Sequence, residues 1–144
     1  MHYTRTITVF THQTEEKLLT QYKINIMSTR AQVRFATRES GQSFATHPKV
    51  IHAQFYVHYD GYPEGLGVEI AECFTKYGKT YNWEIEELNT RHGDLDYIYY
   101  IWQHPMKDTF VSIFKIGWQE EDECIFVGRP SDLIDKYSQN KNEG

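Results

Sequence analysis

The stretch that most restricts the fold is residues 55–67, in which an apolar strand, a forced turn and the start of a helix follow one another directly. Gly61 can adopt a positive φ, and the ring of Pro63 holds its own φ near the helical value. We therefore expect the chain to leave a strand, turn at Asp60-Gly61-Tyr62 and enter a helix within a few residues.

Apolar residues at helical spacing predict the helix that follows this turn. They are Leu66, Ile70, Ala71, Phe74 and Tyr77. Gly78 supplies a stop at the C-terminal end, and Glu64 near the first turn complements the helix dipole. One apolar stripe of this helix is expected to pack on the sheet.

Two strands are predicted before the turn from alternating side chains. Over residues 29–37, Ala31, Val33 and Phe35 alternate with Gln32 and Arg34. Over residues 50–59, one face carries Ile51, Ala53, Phe55, Val57 and Tyr59. The opposite face carries His52, Gln54, Tyr56 and His58. Each strand should therefore have one core face and one polar or aromatic face.

The remaining elements follow the helix. Residues 83–91 are expected to form a short helical or irregular element. Residues 95–102 and 109–118 predict strands, the first of them apolar or aromatic on both faces and so central in the sheet. Residues 124–128 predict a fifth strand, and Ser131 should cap a last helix over residues 132–137. These elements indicate an α+β fold, with a largely antiparallel sheet of about five strands and two or three helices packed on it.

The clear periodicity begins near Met27, which could serve as a second start. We therefore divide the chain into an N-terminal arm or extension over residues 1–26, a single α+β domain over residues 27–138 and a flexible tail over residues 139–144.

Charge is unevenly distributed along the chain, whose net charge is −5. Residues 1–59 carry 7 Lys and Arg against 3 Asp and Glu, whereas residues 60–96 carry 3 against 9. A general nucleic-acid binder would concentrate cations on one face to neutralise phosphates. This class of protein is therefore not expected.

Neither export nor membrane insertion is indicated. No apolar run approaches the about 20 residues of a membrane helix, and the first residues lack the apolar stretch of a secretory signal. We expect a cytoplasmic protein without membrane contact. Cys73 and Cys124 are expected to be reduced thiols, because their spacing fits neither a metal motif nor a disulfide framework.

Two His-x-Asp units are the first candidate site. His58 and Asp60 lie at the end of the second strand, and His92 and Asp94 lie at the end of the element over residues 83–91. If the units meet in space, imidazole and carboxylate could ligate a divalent metal ion or form a base with its orienting acid. Alternatively, Asp60 caps a turn through its own backbone while His58 finishes a strand. The spacings match no known zinc motif, and no cofactor is expected.

The polar face of the second strand is the other candidate site. It carries His52, Gln54, Tyr56 and His58, which would be joined by Gln32 and Arg34 if the first two strands pair. Such a face could hold a small ligand or a peptide, or it could be covered by the N-terminal arm or by the second helical element, residues 83–91. Together with the turn, it gives a candidate binding surface of His58, Asp60, Tyr62, Glu64, Tyr56, Gln54 and Arg34.

Other catalytic classes have little support. No serine lies in a Gly-x-Ser-x-Gly elbow, and neither cysteine has a catalytic neighbourhood. Pro63-Glu64-Gly65-Leu66-Gly67 lacks the Gly-Lys-Ser/Thr ending of a phosphate-binding loop, and Glu64 would repel phosphate.

Met27-Ser28-Thr29-Arg30 and, later, His58-Tyr59-Asp60-Gly61-Tyr62-Pro63 resemble a family of small proteins from tailed phages and mobile elements. Its members typically begin Met-Ser-Thr-Arg and carry a strand ending in His-aromatic-Asp-Gly-Tyr-Pro, followed by a helix. The shared motifs cover about a third of this chain, and Gly67 also matches. The resemblance implies no established activity, but it implies a phage-type accessory protein of the host cytoplasm.

The function favoured by this context is non-enzymatic binding of a host protein, including proteins of immune defence. The 11 tyrosines and the acidic middle segment suit such a role, with residues 60–67 and 84–96 as contact surfaces. The alternative is a small metal-dependent or acid-base enzyme, or a nucleotide-binding protein, that uses His58, Asp60, His92 and Asp94. A third hypothesis is homo-oligomerisation through the aromatic strands.

Overall fold

A six-stranded sheet organises the part of the chain that the computed structural model describes, residues 29–75 and 82–138. The strands are β1 (Ala31–Thr37), β2 (Val50–Val57), β3 (Trp83–Glu86), β4 (Tyr97–Gln103), β5 (Thr109–Lys115) and β6 (Glu123–Gly128). A π-helical turn, Pro63–Gly67, leads into helix α1 (Val68–Thr75), and helix α2 (Pro130–Tyr137) follows the last strand. The α+β class is confirmed.

The strand order is β3-β2-β1-β4-β5-β6. All neighbouring strands are antiparallel except β1 and β4, which pair in parallel with Val33 opposite Tyr99. The expectation of about five largely antiparallel strands therefore needs two corrections, a sixth strand and one parallel pair. The parallel pair arises because β3, like β1, runs antiparallel to β2, and residues 87–96 then carry the chain past β2 and β1 to begin β4 in the same direction as β1.

The sixth strand is β3, where the sequence predicted a helical or irregular element. Trp83-Glu84-Ile85-Glu86 alternates apolar and acidic residues, and it pairs with β2 so that Ile85 lies opposite Phe55. Four residues are too few for a clear periodic signal, so the edge of β2 decided their conformation.

Both faces of the sheet are covered at β4, as its sequence predicted. On one face Tyr99 and Ile101 join a core with α1, α2 and the π-helical turn, which we call the helix-side core. On the other face Ile98, Tyr100 and Trp102 form a second core with Leu95 and Phe114, which we call the loop-side core. Because β4 contributes side chains to both cores, the two cores pack against opposite faces of the same strand.

A β-bulge changes the predicted face of Ile51. The register shifts between Phe35 and Ala36, so that Phe35 pairs with Ala53 whereas Ala36 pairs with Ile51. The extra residue in β2 moves Ile51 to the loop-side core, opposite the face expected from strict alternation. Phe55 and Val57, beyond the bulge, stay on the helix side as predicted.

The turn after β2 forms as expected, but with different backbone roles. Asp60 carries the positive φ of 58°, and Gly61 is not among the residues with positive φ. Pro63 begins the helical segment, which starts as a π-helical turn and continues as α1. The last helix begins at Pro130, one residue before the predicted cap Ser131, because proline is well suited to a first helical turn.

Several predictions lie outside the described residues: the arm over residues 1–26, the helix end at Tyr77 and Gly78, and the tail over residues 139–144. Within the described residues, no helix has the length and apolar character needed to cross a membrane.

Candidate functional site

The loop side of the sheet carries a hydrogen-bonded polar network beneath loop residues. At its centre is Glu86 on β3, whose carboxylate accepts hydrogen bonds from Gln32 Nε2 at 2.9 Å and Gln54 Nε2 at 3.0 Å. Its other oxygen lies 2.7 Å from His92 Nε2. Gln32 and Gln54 are 0% and 1% exposed, so this carboxylate satisfies donors that water does not reach.

A second branch of the network runs across the central strands. Arg34 donates through Nη2 to Gln32 Oε1 at 2.7 Å and through Nη1 to the Tyr100 hydroxyl at 2.9 Å. The hydroxyl lies 2.7 Å from His47 Nδ1, and His47 Nε2 lies 2.9 Å from Asp122 Oδ2. Polar contacts thus continue from the Glu86 cluster through Arg34 and Tyr100 to a loop carboxylate.

Burial sets the protonation of this branch. Burial lowers the pKa of His47, and the bond to Asp122 opposes that shift only in part. Burial also raises the pKa of the Tyr100 hydroxyl, with Arg34 acting in the opposite direction. A neutral imidazole that donates to Asp122 must accept at Nδ1, so the Tyr100 hydroxyl donates to His47 while accepting from Arg34.

Three residues of the two His-x-Asp units, His58, His92 and Asp94, lie around Tyr56. His92 stacks on this ring with centroids 3.8 Å apart, and His58 contacts it edge-on at 4.4 Å. The Tyr56 hydroxyl lies 3.4 Å from both carboxylate oxygens of Asp94, which also pairs with Arg30 at 3.2 Å. Burial raises the pKa of Tyr56, and the negative charge of Asp94 adds to the shift.

Each imidazole of these units is bonded to a glutamate. His58 Nε2 lies 3.1 Å from Glu84, and His92 Nε2 bonds Glu86. Asp60 is exposed on the turn, and its backbone carbonyl accepts from the N–H of Leu66. In residues 29–75 and 82–138, no three His, Cys, Asp or Glu side chains are grouped so that they could hold a metal ion.

The candidate binding surface divides between the two sides of the sheet. Arg34, Gln54 and Tyr56 lie on the loop side, where Gln54 and Tyr56 are buried and Arg34 is half-buried. Tyr62 and Glu64 are half-buried in the turn that leads to the helix side. There the negative charge of Glu64 contributes to the raised pKa of Tyr137, about 12, for which burial is the main cause. The structure therefore does not join these residues into one exposed surface.

The cysteines are half-buried free thiols. Burial raises the pKa of both Cys73 and Cys124, so the nucleophilic thiolate is disfavoured at each position.

Three members of the polar network, Glu86, Tyr100 and His47, were not predicted from the sequence. Glu86 was missed because β3 is too short to be recognised as a strand. Tyr100 was missed because β4 is apolar or aromatic on both faces, so nothing in its pattern indicates a polar contact. His47 lies in the loop between β1 and β2, where it stacks on Phe114 with centroids 4.0 Å apart. An isolated histidine next to Pro48 carries no local signal of that contact. Gln32, in contrast, was predicted from the pairing of β1 and β2.

Several exposed apolar and acidic residues lie on β3, the strand at one edge of the sheet, or just beyond the ends of β3 and its neighbour β2. Ile85 is 76% exposed, and Tyr59 and Leu88 are 55% and 50% exposed. Glu84 and Glu87 are also exposed. We call these five residues the β3 edge surface. Among the described strands β3 pairs only with β2, so its outer edge has no strand partner there.

In comparisons with known proteins, no family model, no curated protein and no solved structure matches this chain.

Proposed function

We propose that this protein is a phage-type accessory protein that acts, without catalysis, by binding a host protein, including proteins of immune defence. The observation that carries the proposal is the β3 edge surface. The outer edge of a strand offers backbone groups to another chain, and exposed large apolar side chains beside charged ones are typical of protein contact sites.

The chemistry of this surface suggests what the partner presents. Ile85 and Leu88 offer apolar contact, and Tyr59 adds an aromatic ring with a hydroxyl. Residues 60–96 carry three times as many acidic as basic side chains, 9 against 3. A partner with a basic rim around an apolar centre would be complementary, and its opposite charge would also speed association.

The buried tyrosines favour this edge over the aromatic strands as the contact surface. Tyr99 and Tyr100 are 0% exposed and Trp102 is 3% exposed, so these side chains are already used in the two cores. A homo-oligomer built on β4 would have to unpack them.

The experiment is affinity capture from a bacterial host lysate with the full chain and with Ile85→Lys. We expect the variant to retain at most about a tenth of the captured partner, because a cation replaces the apolar anchor of the surface. Met106→Lys is the matched control, since Met106 has the same 76% exposure in the turn between β4 and β5. Equal losses in both variants, or no reproducible partner for the unaltered chain, would refute the proposal.

The alternative function is an acid-base or metal-dependent enzyme, or a nucleotide-binding protein, at His58, Asp60, His92 and Asp94. Its support is the contact of both imidazoles with Tyr56. Metal analysis of the purified protein and melting temperatures with added nucleotides test it directly. A metal at stoichiometric level that is lost in His58→Ala and His92→Ala would favour this alternative over simple binding.

A further inference from the structure

A cavity on the loop side of the sheet lies beside the polar network. Its volume is about 200 Å³. Leu95, Ile98 and Ile116 supply apolar walls, Arg34 and Gln32 supply polar groups, and Trp118 lines it as well. Trp118 is 62% exposed, so its indole stands where the cavity opens to solvent. We call this space the Arg34 cavity.

Arg34 is held in place but is not fully satisfied. Its two terminal nitrogens donate to Gln32 and Tyr100, both of them neutral groups. Its Nε is buried and has no hydrogen-bond acceptor. The ion pairs among the described residues include none that involves Arg34. Each terminal nitrogen carries a second N–H beside the one that it donates to Gln32 or Tyr100, so the guanidinium still has donors for a carboxylate.

The guanidinium is also arranged in advance for such an acceptor. Gln32 and Tyr100 fix its plane, and Tyr100 is itself bonded to His47. A fixed guanidinium loses little entropy when its remaining N–H groups bind a carboxylate.

The surroundings select the charge and shape of the ligand. Arg91 adds a second cation to the lining, whereas Asp122 lines the cavity and the carboxylate of Glu86 lies just behind Gln32. These carboxylates would repel a dianion more strongly than a monoanion. The apolar walls and the indole favour an organic body, and about 200 Å³ is below the about 300 Å³ of the smallest usual ligand sites.

We propose that the Arg34 cavity binds a small organic monocarboxylate, with the carboxylate on Arg34 and an aromatic or apolar body against Leu95, Ile98 and Trp118. The site is independent of the proposed protein contact at the β3 edge surface, so either can fail without the other.

The test is a titration of the full chain with benzoate, followed by NMR of the arginine Nε–H signals. We expect a saturable shift of the Arg34 Nε–H signal, because a carboxylate bound to the terminal N–H groups changes the electron distribution of the whole guanidinium. Benzamide, which has the same shape without the charge, should bind at least tenfold more weakly. Inorganic phosphate should also bind more weakly, because it lacks the apolar body and carries a second charge at neutral pH.

Two variants locate the site. Arg34→Lys keeps the positive charge but removes the planar guanidinium that can bind both carboxylate oxygens. It should weaken benzoate binding at least tenfold. Trp118→Ala changes an exposed residue, should fold normally and should weaken binding several-fold, so it decides the matter if Arg34→Lys does not fold. Arg129→Lys, an exposed arginine outside the cavity, should leave binding unchanged. Equal binding of benzoate and benzamide, no saturable shift, or full binding by folded Trp118→Ala would overturn the proposal.

Discussion

Gly61 shows how a single residue can be required for a reason other than its conformational freedom. Asp60 adopts the positive φ, whereas a Cβ on Gly61 would lie 2.9 Å from both the Cβ of Ala31 and the carbonyl oxygen of Thr29. The Gly61 N–H donates to that carbonyl at 3.0 Å, and its own carbonyl accepts from the buried Tyr99 hydroxyl at 2.6 Å. The glycine is therefore needed for close packing of the turn against the start of β1.

Gly61→Ala is expected to lower the free energy of unfolding by about 1–3 kcal/mol, because backbone and Ala31 must move to admit the methyl group. Urea denaturation measures the loss. Gly93→Ala is the matched control, since a Cβ there meets nothing within 4 Å and its φ is not positive. We expect a change within about 0.5 kcal/mol for the control. A similar loss in both variants would contradict the packing explanation.

His47 gives a prediction about pH at the same scale. Its pKa in the folded protein is lowered by burial, so below about pH 6.5 the unfolded chain binds more protons than the folded one. The folded protein therefore loses stability through His47 as the pH falls from neutral through that region. His47→Gln should reduce the difference between urea midpoints measured at about pH 7.5 and about pH 5.5. An unchanged difference would show that His47 does not titrate as its burial predicts.

Strand β3 shows, at the scale of an element, how position in the sheet gives two identical residues different roles. Glu84 and Glu86 point to the same face because they are two residues apart. The Glu86 side chain is 12% exposed and satisfies three partners, whereas the Glu84 side chain is 65% exposed and pairs with His58. The loop over residues 87–96 covers one and leaves the other in solvent.

Glu86→Ala should therefore cost about 1–3 kcal/mol of stability, because it leaves the buried amides of Gln32 and Gln54 with only longer contacts to backbone carbonyls, such as that of Thr90 at 3.4 and 3.2 Å. Glu84→Ala should cost less than about 1 kcal/mol, as expected for an exposed ion pair. Urea denaturation of the two variants, with the same residue change on the same strand, makes the comparison. Equal losses would mean that the network does not stabilise the fold.

At the scale of the whole molecule, the central sheet joins the helix-side core to the loop-side core. Alternate residues of β4 belong to the two cores, and its neighbours β1 and β5 are also buried on both faces. If one core lost its packing, the strands that it shares with the other core would be exposed on that face. Both cores should consequently unfold in one cooperative transition.

Leu133→Ala tests this coupling from the helix side. Leu133 on α2 is 0% exposed, so the cavity should cost about 2–5 kcal/mol. In a protein that retains only Trp102, through Trp83→Phe and Trp118→Phe, fluorescence reports the loop-side core while far-UV circular dichroism reports the helices. We expect both signals to shift to the same lower urea midpoint. A shift of the circular dichroism midpoint alone would show that the two cores unfold independently.

Local patterns in the sequence determined the α+β class, the strand-turn-helix at residues 50–75 and the burial of β4. They could do so because alternation, helical spacing and the special backbones of glycine and proline act over a few neighbouring residues. The polar face of β1 and β2 followed for the same reason, and with it Gln32, Arg34, Gln54 and Tyr56 as neighbours.

Only the tertiary structure decided the strand order, the parallel pairing of β1 with β4, the bulge that moves Ile51 and the choice of Glu86 over Glu84 as the buried acid. Each depends on which distant segments meet, as His47 meets Tyr100 across 53 residues. Pairing energies of this kind come from contacts between separated strands and loops, so a pattern within one segment does not contain them.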